Sequence, residues 1–524
     1  MRASLDPPLD TPTQTMRESR QSRWWLRGVR IARPWLALRG CGLAHDLFPS
    51  SPPATDLTPQ DQIAFEPGCP LVLRLRPTVS DSTAQRAPKR LRAKEMDADA
   101  IKVVRKLRAE GHEAYLVGGC VRDLYLGLRP KDFDAATSAT PEQIHKLFRN
   151  SRVIGRRFKL VHVFYGPKVI ETSTFRTAPR KVEEGEELLI TADNEWGTVE
   201  DDALRRDFTV NGLFCDVDTG EIVDFVGGLD DLDARVIRTI GEPEVRFRED
   251  PVRMIRACKF AGRLDFSVEP RCWQAMLDVA ADIQKCSKAR VLEELYKLLR
   301  SGASRPCFQL LHETGLLRHI WPAYVDAFPE DSGLRPVDET PQDIDDPSAL
   351  FWRYLDCLDA YVRSTGNPVS NGVMQAVLFA PLLSESVIGS QQSHLDRVID
   401  KVMQGPCVEL GVARRDRELA RQIMMAKRHM TSEGGRRRRR ASLVQRQYFH
   451  DALVFLGISV EARGEEGAAL EQWQRLALRH QHSQHVGGAD RPMGAKKLRK
   501  RSRKRGGRRR GGGREASASK PEAG

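Results

Sequence analysis

The stretch LVGGCVRDLYLGLRPKDFDAAT, residues 116–137, decides the fold of this chain. Its first half is predicted to form a strand, a turn at Gly118 and Gly119, and a helix. Glycines let a phosphate approach the backbone closely, and the N-terminus of the following helix attracts that phosphate. Its second half places Asp132 and Asp134 two residues apart, where a strand would turn both to one face. Neighbouring carboxylates repel unless a cation separates them, and Mg²⁺ prefers carboxylate and phosphate oxygens. The two halves together predict nucleotidyl transfer assisted by two metal ions.

Each half alone has a plainer explanation. An Asp-x-Asp pair is more often a solvated turn, and a Gly-Gly turn by itself is a weaker signal still. Here the turn and the pair follow each other within about a dozen residues, and this order favours a site over two unrelated turns.

Two downstream segments carry further candidates. Glu171 lies in an alternating, β-rich run, so we expect it beside the aspartates on a neighbouring strand; otherwise it is a surface glutamate. In RRDFTVN, Arg205 and Arg206 supply charge for a triphosphate, and Asn211 offers a donor and an acceptor to a ribose. Asp207 is either a further carboxylate or a helix N-cap. Glu171 and Asp207 both remain candidates to complete the catalytic acids.

Five blocks in this order resemble the nucleotidyltransferase superfamily of bacterial poly(A) polymerases and CCA-adding tRNA nucleotidyltransferases. They lie within residues 98–322 and read LVGGCVRD, KDFD, IETSTFR, RRDFTVN and EDPVRMIRACKFA. The resemblance implies an α/β nucleotidyltransferase head of the polymerase-β type with a mixed sheet, followed by an all-α neck and body. It implies nucleotide-binding roles for Gly118, Gly119, Arg122, Arg206, Asn211, Asp250, Arg253 and Arg256.

The block EDPVR, residues 249–253, is implied to read the base. In the family, an aspartate (here Asp250) accepts from an exocyclic amine, and an arginine (here Arg253) donates to a ring nitrogen. Adenine and cytosine both present such a pair, so this block does not separate an enzyme that adds A from one that adds C and A. From the residues alone, Asp250 before Pro251 also fits a helix N-cap.

The segment RVIGRRFKLVHVFYG, residues 152–166, resembles the block that marks bacterial poly(A) polymerases, and DNEWGTVEDDA, residues 193–203, resembles a loop of the same group. Arg156 and Arg157 would suit an incoming phosphate or the primer backbone. We expect His162 to be a strand histidine packed in the core rather than a catalytic group. Cys120, Gly212 and the irregular GRLDF at residues 262–266 depart from the family pattern without removing a charged site residue.

The excess positive charge is concentrated near the C-terminus. The formal net charge is +13, and residues 490–514 hold thirteen Lys or Arg and one acid, a net +12. Such a Gly/Arg/Lys segment is predicted to be disordered and to bind RNA without reading sequence; a solubilising tail is the alternative. The candidate RNA-binding residues are Arg156, Arg157, Arg436, Arg437, Arg438, Lys496, Lys497, Arg508 and Arg509.

The predicted domains are a disordered or mis-assigned N-terminal extension (1–95), a catalytic head (96–225), a nucleotide- and RNA-binding helical neck (226–322), a helical RNA-binding body (323–485) and a disordered basic tail (486–524). The basic, apolar residues 20–39 would alternatively be a targeting or membrane-surface segment. No apolar run of about 18 residues occurs, so no transmembrane span is expected. Ten cysteines without a Cys-x-x-Cys pair argue against structural zinc and fit a reducing cytoplasm.

The resulting hypothesis is a cytoplasmic, monomeric enzyme that adds AMP units from ATP to RNA 3′ ends without a template. Two Mg²⁺ ions would be held by Asp132 and Asp134, and the RNA-degradation machinery is a candidate partner because such tails support RNA turnover. The alternatives are a CCA-adding enzyme and a non-catalytic RNA-binding protein. The second alternative predicts loss of the carboxylates, yet every candidate carboxylate is present.

Overall fold

The computed structural model describes residues 90–155, 159–177, 195–329, 333–337, 346–384, 387–388, 390–432 and 442–486. The described residues up to Trp473 group into one compact unit, and those from Gln474 onward into a second. Across these ranges, no helix is both long enough and apolar enough to cross a bilayer. Residues 1–89 of the predicted N-terminal extension (1–95) and residues 487–524 of the predicted basic tail (486–524) lie outside them, whereas Leu91, near the end of that extension, is buried in the core.

A seven-stranded mixed sheet forms the first part of the described chain. Its strands are β1 (Ala114–Val117), β2 (Asp134–Thr137), β3 (Ser151–Ile154), β4 (Leu160–Tyr165), β5 (Lys168–Thr174), β6 (Leu213–Cys215) and β7 (Ile222–Asp224). They lie in the order β3-β4-β5-β2-β1-β6-β7. Strands β2 and β5 run parallel, whereas the other neighbours in this sheet are antiparallel. A short parallel pair, β8 (Val236–Ile237) and β9 (Ser267–Val268), lies apart from it.

Both faces of the sheet bury apolar side chains because its strands alternate with period two. Along β5, Ile170 and Thr172 are buried while Glu171 between them is exposed. One face joins the large core, and the other carries a small cluster that includes Val117, Phe175 and Phe214. Val117 pairs with Asp134 across β1 and β2, so the glycine turn after β1 emerges beside the first residue of β2.

The remaining elements are helices. They are α1 (Ala98–Ala109), α2 (Gly119–Tyr125), α3 (Pro141–Leu147), α4 (Val199–Leu204), α5 (Gly228–Ala234), α6 (Pro243–Glu249), α7 (Val252–Leu264), α8 (Pro270–Val279), α9 (Lys288–Leu299), α10 (Ser304–Glu313), α11 (Leu316–Ile320), α12 (Pro322–Val325), α13 (Pro347–Thr365), α14 (Asn371–Phe379), α15 (Gln392–Glu409), α16 (Arg414–Thr431), α17 (Phe449–Arg463) and α18 (Ala468–Val486). Short 3₁₀ turns span Ala93–Glu95, Thr209–Asn211, Ala280–Lys285 and Ala380–Leu382. The prediction that the chain after the sheet is helical is therefore confirmed.

Helix α7 shows how the sequence positions the neck. Its buried side chains, among them Ile255 and Cys258, repeat at helical spacing and face α10 and α9. A Cβ at Gly262 would lie 2.7 Å from the Sγ of Cys307, so only glycine permits this close approach of α7 and α10. Asp265 ends the helix in the left-handed region, with φ of 55°. The irregular GRLDF segment is thus a packing contact followed by a helix end.

Candidate active site

The carboxylates meet where β2 begins. Glu171 on β5 lies directly opposite Asp134 on β2, as the alternation of its strand predicts. Asp132, however, lies just before the strand and is exposed, so the expectation that a strand would align it with Asp134 is wrong. The parallel register of β2 and β5 brings Glu171 to Asp134, and Asp132 lies near enough to repel the Asp134 carboxylate.

Electrostatics sets Asp134 apart from its neighbours. Burial, with repulsion from Glu171 and from Asp132, raises the pKa of Asp134 to about 7, although Arg206 opposes the shift. Within the described ranges, no three His, Cys, Asp or Glu side chains converge closely enough to hold a metal ion alone. The donor set fits a divalent cation that takes its remaining oxygens from a bound phosphate, since a cation would relieve this repulsion.

A glycine turn and an arginine flank these carboxylates on the β1 side. Gly118 has φ of 71° and ψ of −126°, a conformation that favours glycine, and a Cβ there would lie 3.0 Å from a guanidinium nitrogen of Arg206. Arg206 is held by Asp202 at 2.8 Å and stacks over Phe214, with 5.0 Å to the ring centroid. The Gly118 backbone, which carries no side chain, and the guanidinium of Arg206, which is held by Asp202, therefore lie together beside Asp134.

Arg122 and Asn211 are both buried and hydrogen-bonded within the protein. Arg122 is 2% exposed, and its guanidinium donates to Asp123 at 2.9 Å and to the side-chain oxygen of Asn211. The amide nitrogen of Asn211 donates in turn to Asp207 at 3.1 Å. The structure thus shows both residues bridging α2 to the turn before β6.

Asp207 belongs to an ion pair instead of the carboxylate cluster. Its Oδ2 accepts from Arg256 Nε at 2.7 Å. Burial alone would raise the pKa of Asp207, but the charge of Arg256 and the hydrogen bond from Asn211 outweigh it and lower the pKa to about 2. Arg256 also lies 3.9 Å from Glu294. Of the two candidates for a third carboxylate, Glu171 lies beside Asp134, whereas Asp207 is paired with Arg256.

Sequence reasoning missed Arg246 and Glu249 as site residues. Arg246 is buried and donates to the backbone oxygens of Arg205 and Arg206, each at 2.7 Å. Glu249 accepts from Arg246 at 2.7 Å and from Arg253 at 2.9 Å. The three lie at helical spacings of three and four, which was the available signal. This network ties helices α6 and α7 to the backbone that presents Arg206.

Asp250 follows the last residue of helix α6 as its C-cap and does not N-cap helix α7. Helix α7 begins at Val252 with Pro251 in the cap position, and no side chain caps it. Instead, Asp250 Oδ2 accepts from Arg290 at 2.8 Å, because helix α9 brings that arginine across. Its buried Oδ1 has no hydrogen-bond partner among the described residues. The N-cap expectation is therefore wrong, and one oxygen of this carboxylate is a buried acceptor without a donor among the described residues.

His162 is not packed in the core. It is half-buried on β4, directly opposite Glu171, and its Nε2 lies 3.4 Å from Glu171 Oε1. The expectation of a core histidine fails because β4 turns this residue to the same face as the carboxylates, whereas its neighbours Val161 and Val163 enter the core.

Two departures from the family pattern have structural explanations. Cys120 is buried, its thiol donates to the Val117 oxygen at 3.2 Å, and burial raises its pKa to about 12, so it is a packing residue. At Gly212, a Cβ would lie 2.6 Å from Val226 and 3.2 Å from Ile240, so glycine makes room for these side chains.

All nine predicted RNA-binding cations fall outside the residues that the structure describes. They are Arg156, Arg157, Arg436, Arg437, Arg438, Lys496, Lys497, Arg508 and Arg509.

Known proteins share both halves of this architecture. The family model of the poly A polymerase head domain matches residues 114–238, and the model of a probable RNA and SrmB-binding site of polymerase A matches residues 265–328. Poly(A) polymerase I of Salmonella typhimurium is 35% identical over 403 residues, which are 72% of this chain and 82% of that protein. The CCA-adding enzyme of Lactobacillus delbrueckii subsp. bulgaricus is 35% identical over 306 residues, 56% of this chain and 74% of that protein.

A solved structure carries the same fold. The crystal structure of the Bacillus stearothermophilus CCA-adding enzyme in complex with CTP has 26% identity and a TM-score of 0.52, covering 74% of this chain and 83% of that one. The predicted nucleotidyltransferase head with a mixed sheet, followed by helices, is thereby confirmed.

Proposed function

This chain belongs to the family of bacterial poly(A) polymerases and CCA-adding enzymes, and we propose that it transfers AMP from ATP to RNA 3′ ends without a template. The observation that carries the proposal is the register of Asp134 against Glu171, with Arg206 and the Gly118 turn beside them. Polyadenylation is preferred over CCA addition because the poly(A) polymerase relative matches 72% of this chain and the CCA-adding relative 56%. The GRRFKLVHV segment supports the same choice.

Each side chain has a part in this reaction. Asp132 and Asp134 would hold two Mg²⁺ ions, with Glu171 assisting. Bound Mg²⁺ would lower the pKa of the primer 3′-hydroxyl and stabilise the leaving pyrophosphate. Arg206 and the backbone at Gly118 orient the triphosphate of ATP.

Residues of the helical neck recognise the base and hold Arg206 in position. Asp250 accepts from the exocyclic amine of adenine, and the hydrogen bond from Arg290 orients its carboxylate. Arg253, held by Glu249, completes the base-reading pair, and Arg246 fixes the backbone that presents Arg206. The enzyme would act in the cytoplasm as a monomer, and its products would enter the RNA-degradation machinery.

The first prediction concerns the nucleotide. Incubating the purified full chain with an unstructured RNA, Mg²⁺ and each NTP separately should give long, heterogeneous extension with ATP alone, because the base-reading pair excludes G and U and the GRRFKLVHV segment favours A over C. Product lengths on a denaturing gel measure this, with Asp134→Asn as the inactive control.

The main rival is CCA addition, which shares the base-reading pair. It predicts that CTP is incorporated first and that extension stops after a few nucleotides on tRNA ends only. That pattern would replace polyadenylation as the function.

The second prediction separates the basic tail from the chemistry. Deleting the residues after 486 should weaken RNA binding and shorten the products without abolishing AMP transfer. Every RNA phosphate that is no longer neutralised should reduce the slope of log affinity against log salt by about 0.7 for single-stranded RNA. A salt series of RNA affinities for the full and truncated chains measures this slope. Equal slopes would make residues 487–524 a solubilising tail.

A further inference from the structure

A row of polar side chains runs from the carboxylates to the edge of the sheet. Asp134 on β2 lies opposite Glu171 on β5, Glu171 lies opposite His162 on β4, and His162 lies opposite Arg152 on β3. Directly paired residues share one face of a sheet, so all four point to the same side. Three strand spacings separate Asp134 from Arg152, a distance of about 14 Å.

An exposed aromatic ring lies beside this row. Phe164 is two residues from His162 on β4, so it shares that face, and it is 37% exposed. Its ring meets the His162 ring edge to face at 6.2 Å between centroids. Arg152 is exposed and has no ion pair with the described residues. Arg152, His162 and Phe164 form what we call the edge strip.

The edge strip lies on the side of the carboxylates where we expect the RNA primer to approach. The elements that serve ATP in the proposed function, the Gly118 turn and Arg206, lie on the β1 and β6 side of Asp134. The edge strip lies on the opposite side, reached through Glu171. Because the attacking hydroxyl and the leaving pyrophosphate are on opposite sides of the reacting phosphate, the RNA must approach from the side that ATP does not occupy.

We propose that the edge strip binds the 3′-terminal nucleotides of the RNA primer, with Phe164 stacking on a base and Arg152 contacting a phosphate. His162, which lies between Arg152 and Glu171 in the row, packs against the Phe164 ring and orients it. An exposed aromatic ring next to a cation suits single-stranded RNA, since stacking and phosphate contact need no particular sequence. The inference rests on the proposed function, because it assigns the polymer substrate of that same site.

The kinetic test compares the Michaelis constants of the two substrates. Phe164→Ala should raise the KM for a short oligoadenylate primer by about 5- to 150-fold, the range expected when one base loses its aromatic stacking partner, and leave the KM for ATP unchanged. Arg152→Ala should raise the primer KM as well, and Phe164→Tyr should restore it because the aromatic face is kept.

Matched controls lie on the same part of the fold. Val153 is also 37% exposed and adjoins Arg152 on β3, but it pairs with Val161 and faces the other side of the sheet. Lys146 is an exposed cation on α3, whose Ile144 packs into the core on that other side. Val153→Ala and Lys146→Ala should keep the wild-type primer KM.

A spectroscopic measurement separates this inference from the proposed function. A primer that ends in a 3′-deoxynucleotide and carries 2-aminopurine next to it cannot be extended, and stacking on Phe164 should quench its fluorescence. Phe164→Ala should abolish that quenching. Failure to transfer any nucleotide would reject the proposed function while the quenching still tests the edge strip.

Three results would overturn the assignment. One is an unchanged primer KM and unchanged quenching in Phe164→Ala. Another is a rise in the KM for ATP as large as that for the primer, which would place the strip in the nucleotide site. The third is a change of oligomeric state in Phe164→Ala with intact quenching, which would make the strip a protein interface.

Discussion

Replacing Asp134 with asparagine is expected to lower kcat for AMP transfer by about 10³-fold or more. The substitution removes a charged oxygen that would bind Mg²⁺, and losing several kcal/mol of charge stabilisation corresponds to this factor. The KM for ATP and the RNA affinity should change little, because Arg206 and the basic tail are untouched. Steady-state kinetics at saturating Mg²⁺ measures the effect.

The same substitution should stabilise the metal-free protein at pH 8. The folded-state pKa of Asp134, about 7, lies above its ordinary value of 3.8, so the ionised form is disfavoured by folding. Stability from this group is full below pH 3.8 and is lost as the pH rises through about 7. Asp134→Asn removes that loss, so we expect its free energy of unfolding at pH 8 to exceed that of the wild type by roughly 1–4 kcal/mol.

The control is Asp278→Asn, the same chemical change at an exposed position on α8. It should leave kcat and stability as in the wild type. Mg²⁺ should raise the melting temperature of the wild type more than that of Asp134→Asn. Near wild-type turnover in Asp134→Asn would reject the assignment of this carboxylate to the reaction.

Replacing Asp207 with alanine is expected to cost about 1–3 kcal/mol of stability, because it leaves the half-buried guanidinium of Arg256 without its close partner. Glu294, at 3.9 Å, is too far to replace the 2.7 Å hydrogen bond from Arg256 to Asp207. Denaturant midpoints of the wild type and the variant measure the difference.

The contribution of Asp207 to stability depends on pH with the opposite sign to that of Asp134. The pKa of Asp207 is lowered from 3.8 to about 2, so its stabilisation is present above pH 3.8 and is lost as the pH falls through about 2. The wild type and Asp207→Ala should therefore become more alike in stability over this interval. The lowered pKa of Asp207 corresponds to about 2 kcal/mol of stability that is lost over this pH interval.

An exposed ion pair provides the matched control. Arg318 and Asp326 lie 2.9 Å apart with side chains 63% and 57% exposed, so Asp326→Ala should cost no more than about 1 kcal/mol. Glu171→Gln offers the complementary comparison: it should lower turnover without lowering stability, since its side chain is 54% exposed. Unchanged stability in Asp207→Ala, combined with lost turnover, would return Asp207 to the catalytic acids.

Local patterns in the sequence predicted which side chains are candidates for the chemistry. Alternation along KVIETST placed Glu171 on an exposed strand face, and the glycine pair after β1 marked a turn in which Gly118 takes a positive φ. The helices followed from apolar spacing, as α1 at Ala98–Ala109 shows. These features depend on neighbours within a few residues, so the chain order alone reports them.

Only the tertiary structure decided how those groups are partnered. The choice between Glu171 and Asp207 depended on the register of β2 against β5 and on an arginine 49 residues further along the chain. The bond from Arg290 to Asp250 spans 40 residues, and the bonds from Arg246 to the backbone before β6 span about as many. Such long-range pairs form when helices pack against the sheet, and packing is set by the shape of the whole core instead of by local periodicity. For this reason the sequence identified the charged residues, and the fold determined which of them lie together at the candidate site and which hold the others in place.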